Sequence, residues 1–132
     1  MPYLVDTDWF IDYIAEQPEA VELLEKLAAD GIALSIVSYM ESYQGVLRNS
    51  SQDEARQRFE RILQDVPVLP FSLAVARRCA GIREQLRQTG KRVNQRALDL
   101  LIASTALEHD LTLVTRNTGD FSDVPDLKLY EP

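Results

Sequence analysis

The chain of 132 residues is expected to fold as an α/β protein with a short central parallel sheet covered by helices. Two observations carry that expectation. Short apolar runs recur as Tyr3-Leu4-Val5, "IALSIVS" (32–38), "VPVLP" (66–70), "LTLVT" (111–115) and "LKLYE" (127–131), and longer helix-length stretches separate almost all of them. Strands that alternate with helices return to the sheet in the same direction, which buries the sheet on both faces.

Residues 3–6 are the first expected strand. "WFIDYIAEQ" and "EAVELLEKLAAD" follow as helices parted by Pro18, and Gly31 closes the second. After a buried strand at 32–38, "SYMESYQGVLRN" and "SQDEARQRFERILQD" each open on a Ser cap. Residues 66–70 form a short extended segment. "SLAVARRCAGIREQLRQTG" has apolar residues at 73, 75, 76, 79, 80, 82 and 86, the stripe of a helix that stops at Gly90. "QRALDLLIASTALEHD" is apolar on most faces and so reads as a buried helix. Strands at 111–115 and 127–131 complete the series. No repeat, low-complexity stretch or linker marks a boundary, so residues 1–132 are expected to form one domain.

Composition sets outer limits on function. With 45% hydrophobic and 27% charged residues, and no apolar run near the ~20 residues of a membrane span, the chain reads as a soluble globular protein without a membrane partner. "MPYLVDTD" has neither the basic nor the apolar region of a signal peptide, which implies a cytoplasmic protein. The single Cys79 excludes an internal disulfide and is expected to pack in the core. A net charge of −7 argues against nucleic-acid binding through bulk charge, but not against an enzyme of nucleic acids, because divalent cations invert the field of an acidic pocket. Cations crowd one stretch: Arg77, Arg78, Arg83, Arg87, Lys91, Arg92 and Arg96. That stretch is either a solvated helix face with acidic neighbours such as Glu84, or a surface for phosphates or an acidic partner.

The acids of "YLVDTDWFIDYI" pose the functional question. Asp6 follows an apolar run, and Asp8 and Asp12 follow it. It could cap a helix, serve as the nucleophile of a phosphohydrolase with Asp8 as acid/base, or belong to a carboxylate cluster that holds Mg²⁺ or Mn²⁺. Sites in parallel sheets lie outside the carboxyl ends of the strands. Asp6 occupies such a position. Glu41 comes three residues after Ser38, a spacing that also fits a capping box. Asp99 stands among Ala, Leu and Ile on the most apolar helix, where a lone carboxylate costs several kcal/mol unless it is paired, with Arg96 as the nearest candidate, or bound to a cation. Thr115, Asn117 and Asp120 lie just past the last buried strand, where turn chemistry is the alternative. Carboxylates gathered in one pocket repel unless a cation neutralises them, and an oxygen-only set selects a hard one. The lone His109 and distant Cys79 give no zinc set; His109 suits a helix C-terminus.

The set "VDTDWFIDYI", "SYMESYQGV" and "ALDLLIASTALEHDLTLVTRNTGDF" resembles the PIN domain, and within it the VapC-type toxins of toxin–antitoxin pairs, over essentially the whole chain. The resemblance implies a PIN-like three-layer α/β/α fold and a metal-dependent endoribonuclease that cuts RNA, commonly transfer or ribosomal RNA. It matches Asp6, Glu41 and Asp99 to the metal-holding acids. A fourth acid usually follows the last strand; Asn117 stands there, with Asp120 three residues on, and either completes the set. Asp8 stands where many relatives carry Asn, and would support a ligand or replace one. Thr7 or Thr115 would orient a carboxylate, and Arg116 would clamp a phosphate or make a surface ion pair. Trp9 and Tyr43 would either stack on RNA bases or pack. The early helices would offer an apolar groove to a cognate antitoxin, and a homodimer is implied. Two other readings compete: a catalytically silent PIN-like module that binds RNA or protein, and an Asp-nucleophile phosphohydrolase, which lacks a Lys after a strand among Lys26, Lys91 and Lys128.

Overall fold

Along each strand, neighbouring side chains leave on opposite faces of the sheet, and here both faces meet helices. The computed structural model describes residues 2–131. Its strands are β1 (Tyr3–Val5), β2 (Ile32–Ser35), β3 (Val68–Leu69) and β4 (Thr112–Val114), and all pair in parallel in the order β3-β2-β1-β4. Tyr3 lies beside Ile32 on one flank and Thr112 on the other, so β1 is one of the two inner strands, with β2. The helices are α1 (Thr7–Ile14), α2 (Pro18–Ala28), α3 (Ile36–Arg48), α4 (Gln52–Leu63), α5 (Leu73–Gln88), α6 (Ala97–Glu108) and the single turn α7 (Thr118–Phe121).

The alternation sorts two cores. Leu4, Ala33 and Leu113 pack with Cys79, Ile82 and Leu86 of α5 and with Leu100, Ile102 and Ala103 of α6. Val5, Ile32, Leu34 and Val114 face the other way, onto Phe10 of α1, Leu24 and Leu27 of α2 and Phe59 of α4. The expected three-layer α/β/α arrangement is therefore present, and Cys79 is a buried free thiol as expected. Full burial of side chains such as Phe10, Phe59 and Phe121 contributes about 1.5–3 kcal/mol each to holding the layers together. Tyr39 and Tyr43 pack on Phe59, with ring centroids 5.3 and 5.7 Å away, so Tyr43 is a packing residue. Among the described residues no helix is long and apolar enough to cross a membrane.

Several boundaries differ from the sequence expectation. The second strand ends at Ser35, not residue 38, because the Ser35 side chain accepts the Ser38 N–H at 3.0 Å and starts α3 three residues early. Ser38 is thus inside the helix and caps nothing. Pro18 does not part the first helices from outside but opens α2 at its first turn, where a missing N–H costs nothing. A short 3-10 turn, Asn94–Arg96, precedes α6. Residues 127–131 form no strand: a single parallel bridge joins Leu129 to Leu113.

The chain lays down β1, β2 and β3 outward on one side and then crosses back to place β4 on the other side of β1. The carboxyl ends of β1 and β4 therefore flank the crevice that such a reversal opens.

Candidate metal centre

Asp6 follows β1 directly and is the N-cap of α1. Both capping and a site role are thereby accommodated in one residue: Oδ1 accepts the Thr7 N–H at 2.8 Å, and Oδ2 accepts the Thr115 hydroxyl at 2.7 Å. Thr115 lies just past β4, so the hydroxyl spans the crevice between the carboxyl ends of β1 and the edge strand β4. Asp6 is only 6% exposed. Burial pushes its carboxyl above the usual range, against the two hydrogen bonds that favour the charged form, and Asp8 adds to the rise.

Glu41 comes from the second turn of α3, which the early start at Ser35 aims at the end of β1. Its Oε1 accepts the Thr7 hydroxyl at 2.7 Å. Thr7 also lies 2.9 Å from Ser38 Oγ, which in turn lies 3.2 Å from Ser35 Oγ. A hydroxyl donates one proton, and the carboxylate is the strongest acceptor in reach. The row is satisfied when Ser35 donates to Ser38, Ser38 to Thr7 and Thr7 to Glu41. Both expected orienting residues are therefore engaged, Thr115 on Asp6 and Thr7 on Glu41. Ser35 and Ser38 had no sequence signal beyond the capping spacing.

Asp99 enters from the other layer, on the first turn of α6. Among the described residues it has no ion-pair partner, and Arg96 is not one: that guanidinium binds Asp123 through two bonds of 2.9 and 2.7 Å. Burial, then the negative charges of Asp6, Asp120 and Glu41, push the Asp99 carboxyl up, with Arg96 as the smaller opposing influence. Asp6 and Glu41 thus both act electrostatically on Asp99 although the three come from different elements.

Asp6, Thr7, Asp8, Glu41, Asp99 and Asn117 line a common cleft of about 270 Å³, with Ile11 and Gln44 completing it. No Lys or Arg is among them, so the cationic partner that an Asp-nucleophile phosphohydrolase needs is missing from the cleft. Asn117 caps α7 in position and sends its Nδ2 toward Asp8 Oδ2 at 3.5 Å. Asp120, one turn further, is exposed and does not line the cleft, although its charge reaches Asp99. Arg116 also lies elsewhere: it pairs with Asp12 at 2.8 Å and covers the Trp9 ring at 3.8 Å. Trp9 is buried under it, which makes both residues packing groups here.

The donors fit a hard divalent cation in kind: every polar side-chain atom offered by Asp6, Asp8, Glu41 and Asp99 is oxygen, and Asp99 is a half-buried carboxylate that lacks a counter-charge. Among the described residues no three acidic side chains already stand in coordinating geometry. A cation such as Mg²⁺ keeps several of its own waters and needs only one or two direct carboxylates.

The parallel α/β/α sandwich with an acid-lined cleft at the sheet's reversal point places the chain in the class of open parallel α/β proteins that carry their site beyond the carboxyl ends of the strands. The sequence profile described as PIN domain matches residues 3–127, and the chain belongs to that family. Ribonuclease VapC2 of Rickettsia felis is 30% identical over 98% of this chain and 96% of its own length. Toxin FitB of Neisseria gonorrhoeae is 31% identical over 98% and 96%. Among solved structures, VapBC2 from Rickettsia felis bound to a promoter DNA fragment matches with a TM-score of 0.84 at 28% identity over 98% of both chains. FitAcB from Neisseria gonorrhoeae matches with a TM-score of 0.81 at 31% identity, over 98% of this chain and 97% of that one.

Proposed function

We propose that this protein is a divalent-metal-dependent endoribonuclease, a single PIN nuclease domain spanning residues 1–132 that acts as the toxin of a toxin–antitoxin pair. The observation that carries the reading is Asp99: a half-buried carboxylate without a counter-ion, facing Asp6 and Glu41 across one cleft. Similarity to proteins named ribonuclease and toxin supports the reaction class. Asp6, Glu41 and Asp99 would hold Mg²⁺ or Mn²⁺, and the cation would supply an activated water and charge neutralisation at the phosphodiester. Thr115 and Thr7 fix the rotamers of Asp6 and Glu41, so that these carboxylates need little reorganisation. Asn117 is the better candidate than Asp120 to complete the set, because it lines the cleft and Asp120 does not. Asp8 lines the same cleft, with its Oδ2 3.5 Å from Asn117 Nδ2.

The partner follows from a second surface. Tyr13, Ile14, Pro18, Val21 and Ile62 of α1, α2 and α4 line a groove of about 700 Å³ edged by Glu22, Glu25, Arg58 and Arg61. An amphipathic antitoxin segment would lay its apolar face there. Relatives whose structures are named as VapBC and FitAB complexes support that partner. Homodimerisation and a cytoplasmic location belong to the same reading.

The test is cleavage of a mixed tRNA and rRNA pool by antitoxin-free protein with Mg²⁺ or Mn²⁺, with EDTA, and by Asp99→Asn. Discrete fragments that need both the cation and Asp99 are expected. Folded wild-type protein that leaves every RNA intact in the presence of either cation would replace the nuclease with a silent RNA- or protein-binding module.

A further inference from the structure

Half of the chain's cations lie in residues 77–96, seven of fourteen, with Glu84 as the only acid between them. That segment carries +6 while the chain as a whole carries −7, so the remaining residues sum to −13. A polyanion approaching this acidic protein with its acid-lined cleft meets the largest concentration of positive charge along the chain here.

Part of this charge is consumed locally. Arg78 pairs with Glu108, Arg87 with Glu84, and Arg96 with Asp123. Arg77, Arg83 and Arg92 have no carboxylate partner among the described residues, and Lys91 reaches Asp123 only at 3.8 Å. Arg83 is the informative one: it bonds the Val93 carbonyl at 3.4 Å and Asn94 Oδ1 at 3.0 Å. Neutral acceptors fix the guanidinium in place without cancelling its charge. Arg83, Arg87, Lys91, Arg92 and Asn94 line a groove of about 580 Å³ along the end of α5 and the turn before α6, where Glu84, already paired with Arg87, is the one acid.

The groove is tied to the catalytic edge. Arg96, at the end of the turn, binds Asp123 and donates to the Asp120 carbonyl at 2.7 Å, and Asp99 follows on the next turn of chain. The turn that borders the groove thus leads directly into α6, whose first turn carries Asp99.

We propose that the groove between α5 and the 94–96 turn is the surface that takes the sugar–phosphate backbone of the RNA substrate, upstream or downstream of the cut. The inference rests on the nuclease reading, since it supplies the substrate class. Its residues would position RNA through charge and contribute no base selectivity. Each phosphate contact to a single strand adds about 0.7 to the slope of log affinity against log salt.

The experiment measures binding of a labelled single-stranded RNA to antitoxin-free Asp99→Asn protein over a salt series, without divalent cations. It compares that parent with an added Arg83→Gln/Lys91→Gln/Arg92→Gln triple, and with a Lys91→Gln/Arg92→Gln double that touches only exposed side chains. A control triple, Arg48→Gln/Arg61→Gln/Lys128→Gln, changes net charge equally on other faces. The groove triple is expected to flatten the slope by roughly 2 and the double by about 1.4, at 0.7 per contact, with affinity at least about tenfold lower for the triple. The control triple should keep the parent slope. Parental binding by both groove variants, or an equal loss in the control, overturns the proposal. Wild-type protein that cleaves RNA while the groove variants bind normally sinks only the groove; wild-type protein that neither binds nor cleaves RNA removes the nuclease reading itself.

Discussion

Thr115 contributes one hydroxyl, and its removal should be felt at Asp6. Thr115→Val keeps the shape and deletes the 2.7 Å bond to Oδ2, which leaves a buried carboxylate free to turn. Outer hydrogen-bonding partners of metal ligands are typically worth about 10–100-fold in activity or metal affinity. RNA cleavage by Thr115→Val should fall within that range, with the loss reduced by raising Mn²⁺; undiminished cleavage would show that Asp6 is held by its remaining contacts. At this scale the sequence was legible wherever chemistry and local context conflicted. Asp99 stood out as an acid in an apolar helix, and Asp6 as an acid ending a strand. Ser35 and Ser38 did not stand out, because their hydroxyl row exists only once α3 is laid against α1. Arg116 was open to two readings, and only the fold brought Asp12 and Trp9 to it.

Helix α3 shows what a single cap controls. Ser35 accepts the Ser38 N–H, whereas Ser51, in the same position on α4, makes no side-chain cap bond. Ser35→Ala should cost about 1 kcal/mol and Ser51→Ala much less, read from urea midpoints. Equal costs would remove the cap from the account. The sequence placed a Ser at the start of α3 but chose Ser38, because "SIVS" offers two serines three residues apart and an apolar run reads as strand up to the second. A second element-level prediction concerns the turn before α6. The Arg96 guanidinium, through its hydrogen bonds, holds the Asp123 carboxyl below the usual range. Its stabilisation is therefore present above the ordinary carboxylate pKa and is lost as pH falls through the lowered folded value. Asp123→Asn should destabilise the protein at pH 7 by about 1 kcal/mol or less, since the side chain is a quarter exposed and solvent screens the pair. That difference should vanish in strong acid; a difference independent of pH would point to packing instead.

For the whole molecule, the acid cluster sets a conflict between stability and function. Asp6 and Asp99 both have raised pKa values, mainly through burial. In the metal-free protein the stability associated with their neutral forms is present in acid and is lost as pH rises through those raised values. Asp99→Asn should therefore raise the melting temperature in EDTA at neutral pH. Mg²⁺ or Mn²⁺ should raise that of the wild type and do less for the variant, since a ligand stabilises in proportion to its preference for the folded state. Scanning calorimetry of both proteins with and without cation checks each sign. The overall architecture was the most legible level of all: strand and helix alternation predicted the parallel sheet and its two covers. Only the last expected strand failed, where Pro125 and the left-handed Asp126 at φ 66 leave a single bridge.

Because the three candidate acids enter from opposite layers, neither end of the polypeptide carries all of them. Asp6 and Glu41 belong to the first half of the chain, and Asp99 to the last third. A single backbone cut in the exposed stretch around Gly90 would deal the acids to two pieces, each harmless by itself. Toxicity would then require reunion, so co-expressed halves should behave as a logical conjunction: cells growing with either one and arresting only with both.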